Sequence, residues 1–137
     1  MNRDTLTASI TINQPIDLVW KVWNEPEHIA KWNAPAYEWV NKSIENNLSL
    51  GGCFLYVMAK KDGSENFEFR GTYTEIIEHQ RIAYTLDDHR KSLIIFEGNN
   101  LVTLTEIFEP VANLDLKMQQ EFCQSGLNQL KAYAEQL

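Results

Sequence analysis

Two glutamates in strand-like stretches are the residues of this 137-residue chain whose setting best suits chemistry. At period-two spacing Glu75 falls with Phe69, Gly71, Tyr73 and Ile77, and Glu106 falls with Val102, Leu104 and Phe108. Residues so spaced share one face of a strand, so each carboxylate is expected among apolar or small neighbours. Burying it unpaired costs several kcal/mol or drives its pKa upward. Two arrangements avoid that cost. Either the carboxylate reaches water or a cation at an edge, or it forms a polar spot in the wall of a cavity. Acid–base work by a carboxylate pair needs a defined separation, which spacing in sequence does not supply, and no catalytic residue is assigned.

Aromatic and sulfur-bearing side chains supply the apolar counterpart. Trp20, Trp23, Trp32 and Trp39 crowd the first third, and Phe54, Tyr56, Met58, Phe69, Tyr73, Tyr84, Met118 and Phe122 follow. Aromatics dominate ordinary cores, yet pockets for flat or greasy molecules use the same residues with a few placed polar groups. Gly126 stands inside a helix-like stretch, where glycine costs about 1 kcal/mol relative to alanine. It marks either a close approach of helix and sheet or room left for a ligand.

Other chemistries lack their residues. His28, His79 and His89 fall at helix ends or turns, and nothing sets two on one face, so neither a metal site nor a Ser/His/Asp triad is signalled. Cys53 and Cys123 form no CxxC or Cys/His cluster and are expected as buried free thiols. No cofactor is implied. Gly51-Gly52 reads as a turn, since no Lys-Ser/Thr and helix follow as in a phosphate loop.

The charge balance, 19 acidic against 12 basic residues and a formal net charge of −7, opposes nucleic acid or an anionic membrane as partner. No apolar run suits a bilayer span. The first residues lack the apolar stretch of an export signal, which predicts a cytoplasmic location. The length fits one domain over residues 1–137.

The elements that must position these residues follow from periodicity. Leu6, Ala8, Ile10 and Ile12 alternate as a half-buried strand. Pro15 opens a helix whose stripe is Ile16, Val19, Trp20 and Trp23, and Pro26 opens a shorter one carrying Ile29 and Trp32, ended by Asn33-Ala34-Pro35. From Tyr37 to Glu109 the pattern is strand, with an Asp62-Gly63 hairpin and turns near residues 78–80, 87–91 and 98–100. Asn113 or Asp115 caps a last, broad-faced amphipathic helix. The order predicts an α+β domain: one strand, two short helices, about six strands and a long helix.

That order carries a resemblance. Pro15 to Trp20, Pro26-Glu27-His28-Ile29-Ala30-Lys31-Trp32, Gly51-Gly52-Cys53-Phe54, Asp62-Gly63, Gly71 to Ile76, Ile82-Ala83-Tyr84-Thr85, Met118 to Phe122 and Leu127 to Leu130 succeed one another as in the START-like SRPBCC superfamily. Within it, the chain resembles the family named after activators of the heat-shock-protein-90 ATPase. The resemblance implies a helix-grip fold, a curved antiparallel sheet of six to seven strands closed by the last helix over a cavity. It further implies a small apolar or amphipathic ligand. The alternatives are a cyclase- or isomerase-like enzyme, or an accessory to a chaperone ATPase in stress response. Monomer and homodimer both remain open.

Overall fold

The computed structural model describes residues 4–33 and 39–137. Its elements are β1 (Leu6–Ile12), α1 (Ile16–Asn24), α2 (Pro26–Trp32), β2 (Trp39–Asn46), β3 (Cys53–Lys60), β4 (Asn66–Ile77), β5 (Arg81–Leu86), β6 (Lys91–Glu97), β7 (Val102–Phe108) and α3 (Leu116–Ala134). The expected stop at Ala34-Pro35 and the strand start at Tyr37 lie outside the described residues. The strands form one curled antiparallel sheet of seven, ordered β1-β7-β6-β5-β4-β3-β2. Each chain neighbour from β2 to β7 pairs with the next, and β1 joins the far side of β7.

Alternation along the strands sets the inner face. Ile82, Tyr84 and Leu86 on β5 and Ser92, Ile94 and Phe96 on β6 are buried, with less buried residues between them. On β7 Ile94 lies opposite Glu106 and Phe96 opposite Leu104, so the concave row continues across strands. At one end of that row Ile82, Ile94, Val102 and Leu104 are fully buried, packed with Val19, Val22, Ile29, Leu127 and Leu130 from the helices. This is the solid core.

Helix α3 is tied down at its ends and along one side. Asp115 caps it, its Oδ1 accepting from the Lys117 N–H at 3.0 Å. Gln119 holds the preceding loop, accepting from Val111 N at 2.7 Å and donating to Val111 O at 3.0 Å. At the other end Gln14 Nε2 donates to Ala134 O at 2.9 Å. Along the side, the Gln120 and Gln124 amides donate to Thr7 O and Ser9 O at 3.2 and 2.9 Å, and Lys131 Nζ donates to Thr11 O at 2.5 Å. These bonds cover the carbonyl row of edge strand β1, which would otherwise stay open to pairing. The helix thus hangs from the sheet's edge while its face looks across the concavity.

Leu127, Leu130 and Ala134 in its second half are buried, whereas Met118 and Phe122 in its first half are more than half exposed. The helix packs at one end and spans a hollow at the other.

Candidate functional site

The hollow is a cavity of about 580 Å³ between the first half of α3 and the inner face of β3 to β7. Phe54 on β3 is the hub of its far wall. Its ring centroid lies 5.3 Å from Tyr56, 5.4 Å from Phe69, 5.4 Å from Tyr73 and 4.9 Å from Tyr84. These are favourable tilted and edge-to-face separations. Gly71 makes room for that hub: a Cβ there would stand 2.6 Å from the Phe54 ring and 3.1 Å from Thr85 O. The Tyr73 hydroxyl donates to Asn46 Oδ1, which anchors the cluster to β2.

Trp23 and Trp32, stacked at 5.4 Å, face the same space from α1 and α2. The Trp32 Nε1–H donates to Val22 O at 2.8 Å, so its polar atom is satisfied away from the cavity. Gly126 faces the space from α3, and a Cβ there would meet nothing within 4 Å. Close approach of helix and sheet therefore does not explain this glycine. It leaves volume open.

Glu106 is the carboxylate of this wall. The Cys123 thiol faces it across the gap as a donor group that lowers its pKa, and Tyr56 and Tyr84 stand within electrostatic range. Removal from bulk water dominates, lifting the Glu106 carboxyl to about 7 against the weaker lowering by Cys123. It lines the cavity and keeps part of its surface accessible. Burial likewise raises the Cys123 thiol and the hydroxyls of Tyr56, Tyr73 and Tyr84 above their usual values. All four stay protonated at neutral pH, available as donors and not as anions. Ser92 lies opposite Tyr84 across β5 and β6, and Glu109 Oε1 accepts from Lys91 N at 2.6 Å.

The cavity opens past Phe67, Leu114, Met118 and Phe122, which are 49% to 58% exposed. Large apolar side chains rimming an opening differ from scattered surface leucines, because together they form a patch contiguous with the interior.

Among the residues singled out from sequence, Trp23, Trp32, Trp39, Phe54, Tyr56, Met58, Phe69, Tyr73, Tyr84, Glu106, Met118, Phe122 and Gly126 surround this space. Trp20 and Glu75 do not. Trp20 turns into the solid core, 5.0 Å from the Phe96 ring and 5.8 Å from His79. Glu75 is displaced by a bulge in β4. Tyr73 lies opposite Tyr84, but Glu75 lies opposite Ala83, leaving Thr74 as the extra residue. One extra residue flips all that follows to the other face. Glu75 is 44% exposed on the convex side, its Oε1 2.8 Å from Arg81 Nε, an ion pair without hydrogen-bond alignment. Cys53 is exposed beside Thr72, not buried.

Periodicity did not select Asn33, Phe67, Arg90, Ser92, Phe108 or Cys123, all of which border the cavity. Phe108 shared the alternating register already read with Glu106, so that signal existed. Cys123 as partner to Glu106 had none, since the pairing joins distant elements. Among the described residues no group of His, Cys, Asp and Glu is placed to hold a metal, and no helix is long and apolar enough to cross a membrane.

A curled seven-stranded antiparallel sheet, two short helices at one end and a long final helix over a hollow define a helix-grip domain of the START-like SRPBCC superfamily. The chain belongs to the family of Activator of Hsp90 ATPase homolog 1-like proteins, which matches residues 13–135. It is similar to the AHSA1-like protein from Aeromonas hydrophila, 34% identical over 96% of this chain and 93% of that one, with a TM-score of 0.86. A protein from Cytophaga hutchinsonii is 38% identical, covers 96% and 92% of the two chains, and gives a TM-score of 0.83. One from Chromobacterium violaceum shares the fold at 23% identity and a TM-score of 0.83, over 96% and 98% of the chains. No functionally curated protein matches.

Proposed function

We propose that this chain is a binding module that holds a small hydrophobic or amphipathic molecule between the sheet and α3. The observation that carries the reading is the cavity itself: about 580 Å³, walled by aromatic and aliphatic side chains, with few polar groups. Binding sites for small molecules have this size and this mixture. The glycine at 126 supports it, because a helix that served only to close a core would gain from alanine there. So does the exposed apolar rim at the opening. Native mass spectrometry of freshly purified protein tests the reading. A co-purifying small molecule, or uptake of an added apolar compound at one per chain, is expected. A chain that stays empty against a broad set of apolar compounds contradicts it.

The position of Glu106 favours a second reading, a cyclase- or isomerase-like enzyme. A carboxyl lifted to about 7 inside a cavity, beside protonated tyrosines, suits proton transfer to and from a ligand carbon. Deuterium exchange into a bound enolisable ketone, lost in Glu106→Gln, is the outcome that reading requires. A role beside a chaperone ATPase rests on the family's name, and retention of that ATPase by the immobilised chain tests it.

A further inference from the structure

The polar groups of the cavity are unequal in what they leave unsatisfied, and this bears on the ligand's chemistry. Asn33 Nδ2 reaches Asn41 and Met58, Gln119 is spent on the Val111 backbone, and the Tyr73 hydroxyl bonds Asn46. Arg90, the cation on the wall, has its Nε 2.7 Å from Asp88 Oδ2. Glu106 differs. A carboxylate offers about four lone-pair sites, and the donor group beside it is a thiol, a weak one. The cavity therefore holds an under-satisfied acceptor among rings whose faces are themselves electron-rich.

We infer that the preferred ligand is cationic, an apolar molecule bearing one protonated amine that seats against Glu106 among the aromatic rings of the wall. The inference rests on the binding reading above and adds the headgroup. An ammonium supplies three donors, and it is attracted both by the carboxylate and by ring faces. The combination is stronger inside a cavity than in water, because screening is weaker there. The chain's net charge of −7 acts in the same direction at longer range, favouring cations over anions near the protein. An anionic headgroup is repelled by Glu106, and the Nε of Arg90 is engaged by Asp88.

The groups facing Glu106 are Tyr56 from β3, Tyr84 from β5 and Cys123 from α3, all neutral at pH 7, with Arg90 and Glu109 elsewhere on the same wall. Near pH 7 the carboxyl is about half protonated, so a cation that binds its ionised form expels about half a proton per molecule bound.

Three probes that share a ring and differ in headgroup decide the matter: 2-(1-naphthyl)ethylamine, 2-(1-naphthyl)ethanol and 1-naphthylacetic acid, titrated calorimetrically into the full chain. The expected result is amine binding about tenfold or more tighter than alcohol, and the acid weakest. In Glu106→Gln the amine's advantage is expected to disappear while the alcohol's affinity stays within about threefold. Repeating the amine titration on the unaltered chain in buffers of different ionisation enthalpy reads the released proton without relying on the variant's folding. Alcohol or acid binding as tightly as the amine overturns the cationic headgroup and leaves the apolar cavity standing. So does an amine advantage that survives in Glu106→Gln, or that persists unchanged at acid pH where the carboxyl is protonated. Failure of all three probes to bind overturns both.

Discussion

Glu106 on β7 and Cys123 on α3 face the same hollow, so the cavity's acidic group and the helix that spans it look at each other across it. The thiol lowers the carboxyl's pKa while burial raises it, and burial wins. Replacing Cys123 with alanine is expected to push Glu106 further above about 7, as read by a carbon-13 titration of the side-chain carboxyl. An unmoved or lowered midpoint would mean that the thiol does not serve the carboxylate.

Glu106 also gives stability a definite pH dependence. Its carboxyl rises from 4.5 unfolded to about 7 folded, so between those values the folded state holds more protons. Stability is then fully present below about pH 4.5 and falls as pH rises through 7. The contribution is on the order of 3 kcal/mol. Urea unfolding of Glu106→Gln against the unaltered chain should show near-equal stability at low pH. Above pH 7 the variant should be the more stable by up to about that amount. A difference that does not change with pH would contradict the burial of this carboxyl.

Gly126 yields opposite effects on stability and binding. With nothing within 4 Å of an added Cβ, Gly126→Ala should stabilise α3 by up to about 1 kcal/mol in urea unfolding. Gly126→Phe fills the space and should abolish uptake of an apolar compound while the fold persists. Loss of stability in the alanine variant would mean that the helix packs there after all.

Gly71 and Phe54 are expected to be energetically coupled. Alanine at 71 sets a methyl 2.6 Å from a ring that is 2% exposed and held among four aromatics, so the ring has little room to retreat. A loss of about 2 kcal/mol is expected, partly recovered by Phe54→Leu in a double-mutant cycle. Simple additivity would contradict the close approach.

Glu75 and Trp20 separate cavity residues from their neighbours. Glu75→Ala removes a surface ion pair and should cost at most about 1 kcal/mol without altering ligand uptake. Trp20→Ala should cost about 3 kcal/mol or more, because that ring is core.

These two residues also show where sequence stopped being legible. Period-two and helical spacing located the elements other than β2, the least clear stretch, because each element buries one face and the spacing records which. Phe54, Tyr56 and Met58, read as one face of β3, line the cavity together. Glu75 was misplaced because Thr74 bulges out of register, and nothing in Tyr73-Thr74-Glu75 announces a bulge that depends on the partner strand. Trp20 shared its stripe with Trp23, but a helix stripe has length as well as direction. One ring reached the solid end and the other the open end. The facing of Glu106 and Cys123 depends on how far α3 hangs from the sheet, which the Gln120, Gln124 and Lys131 contacts to β1 help to set. Side chains that space a helix from a sheet leave no periodic trace.

Whether the hollow admits a small molecule is decided by a nitrogen-15 NMR titration of the chain with 2-(1-naphthyl)ethanol, whose ring current shifts nearby amides. Saturable shifts are expected at Phe54, Tyr84, Cys123 and Gly126, with Glu75 on the convex face unmoved. Shifts confined to the convex face, or none that saturate, would contradict a ligand cavity beneath α3.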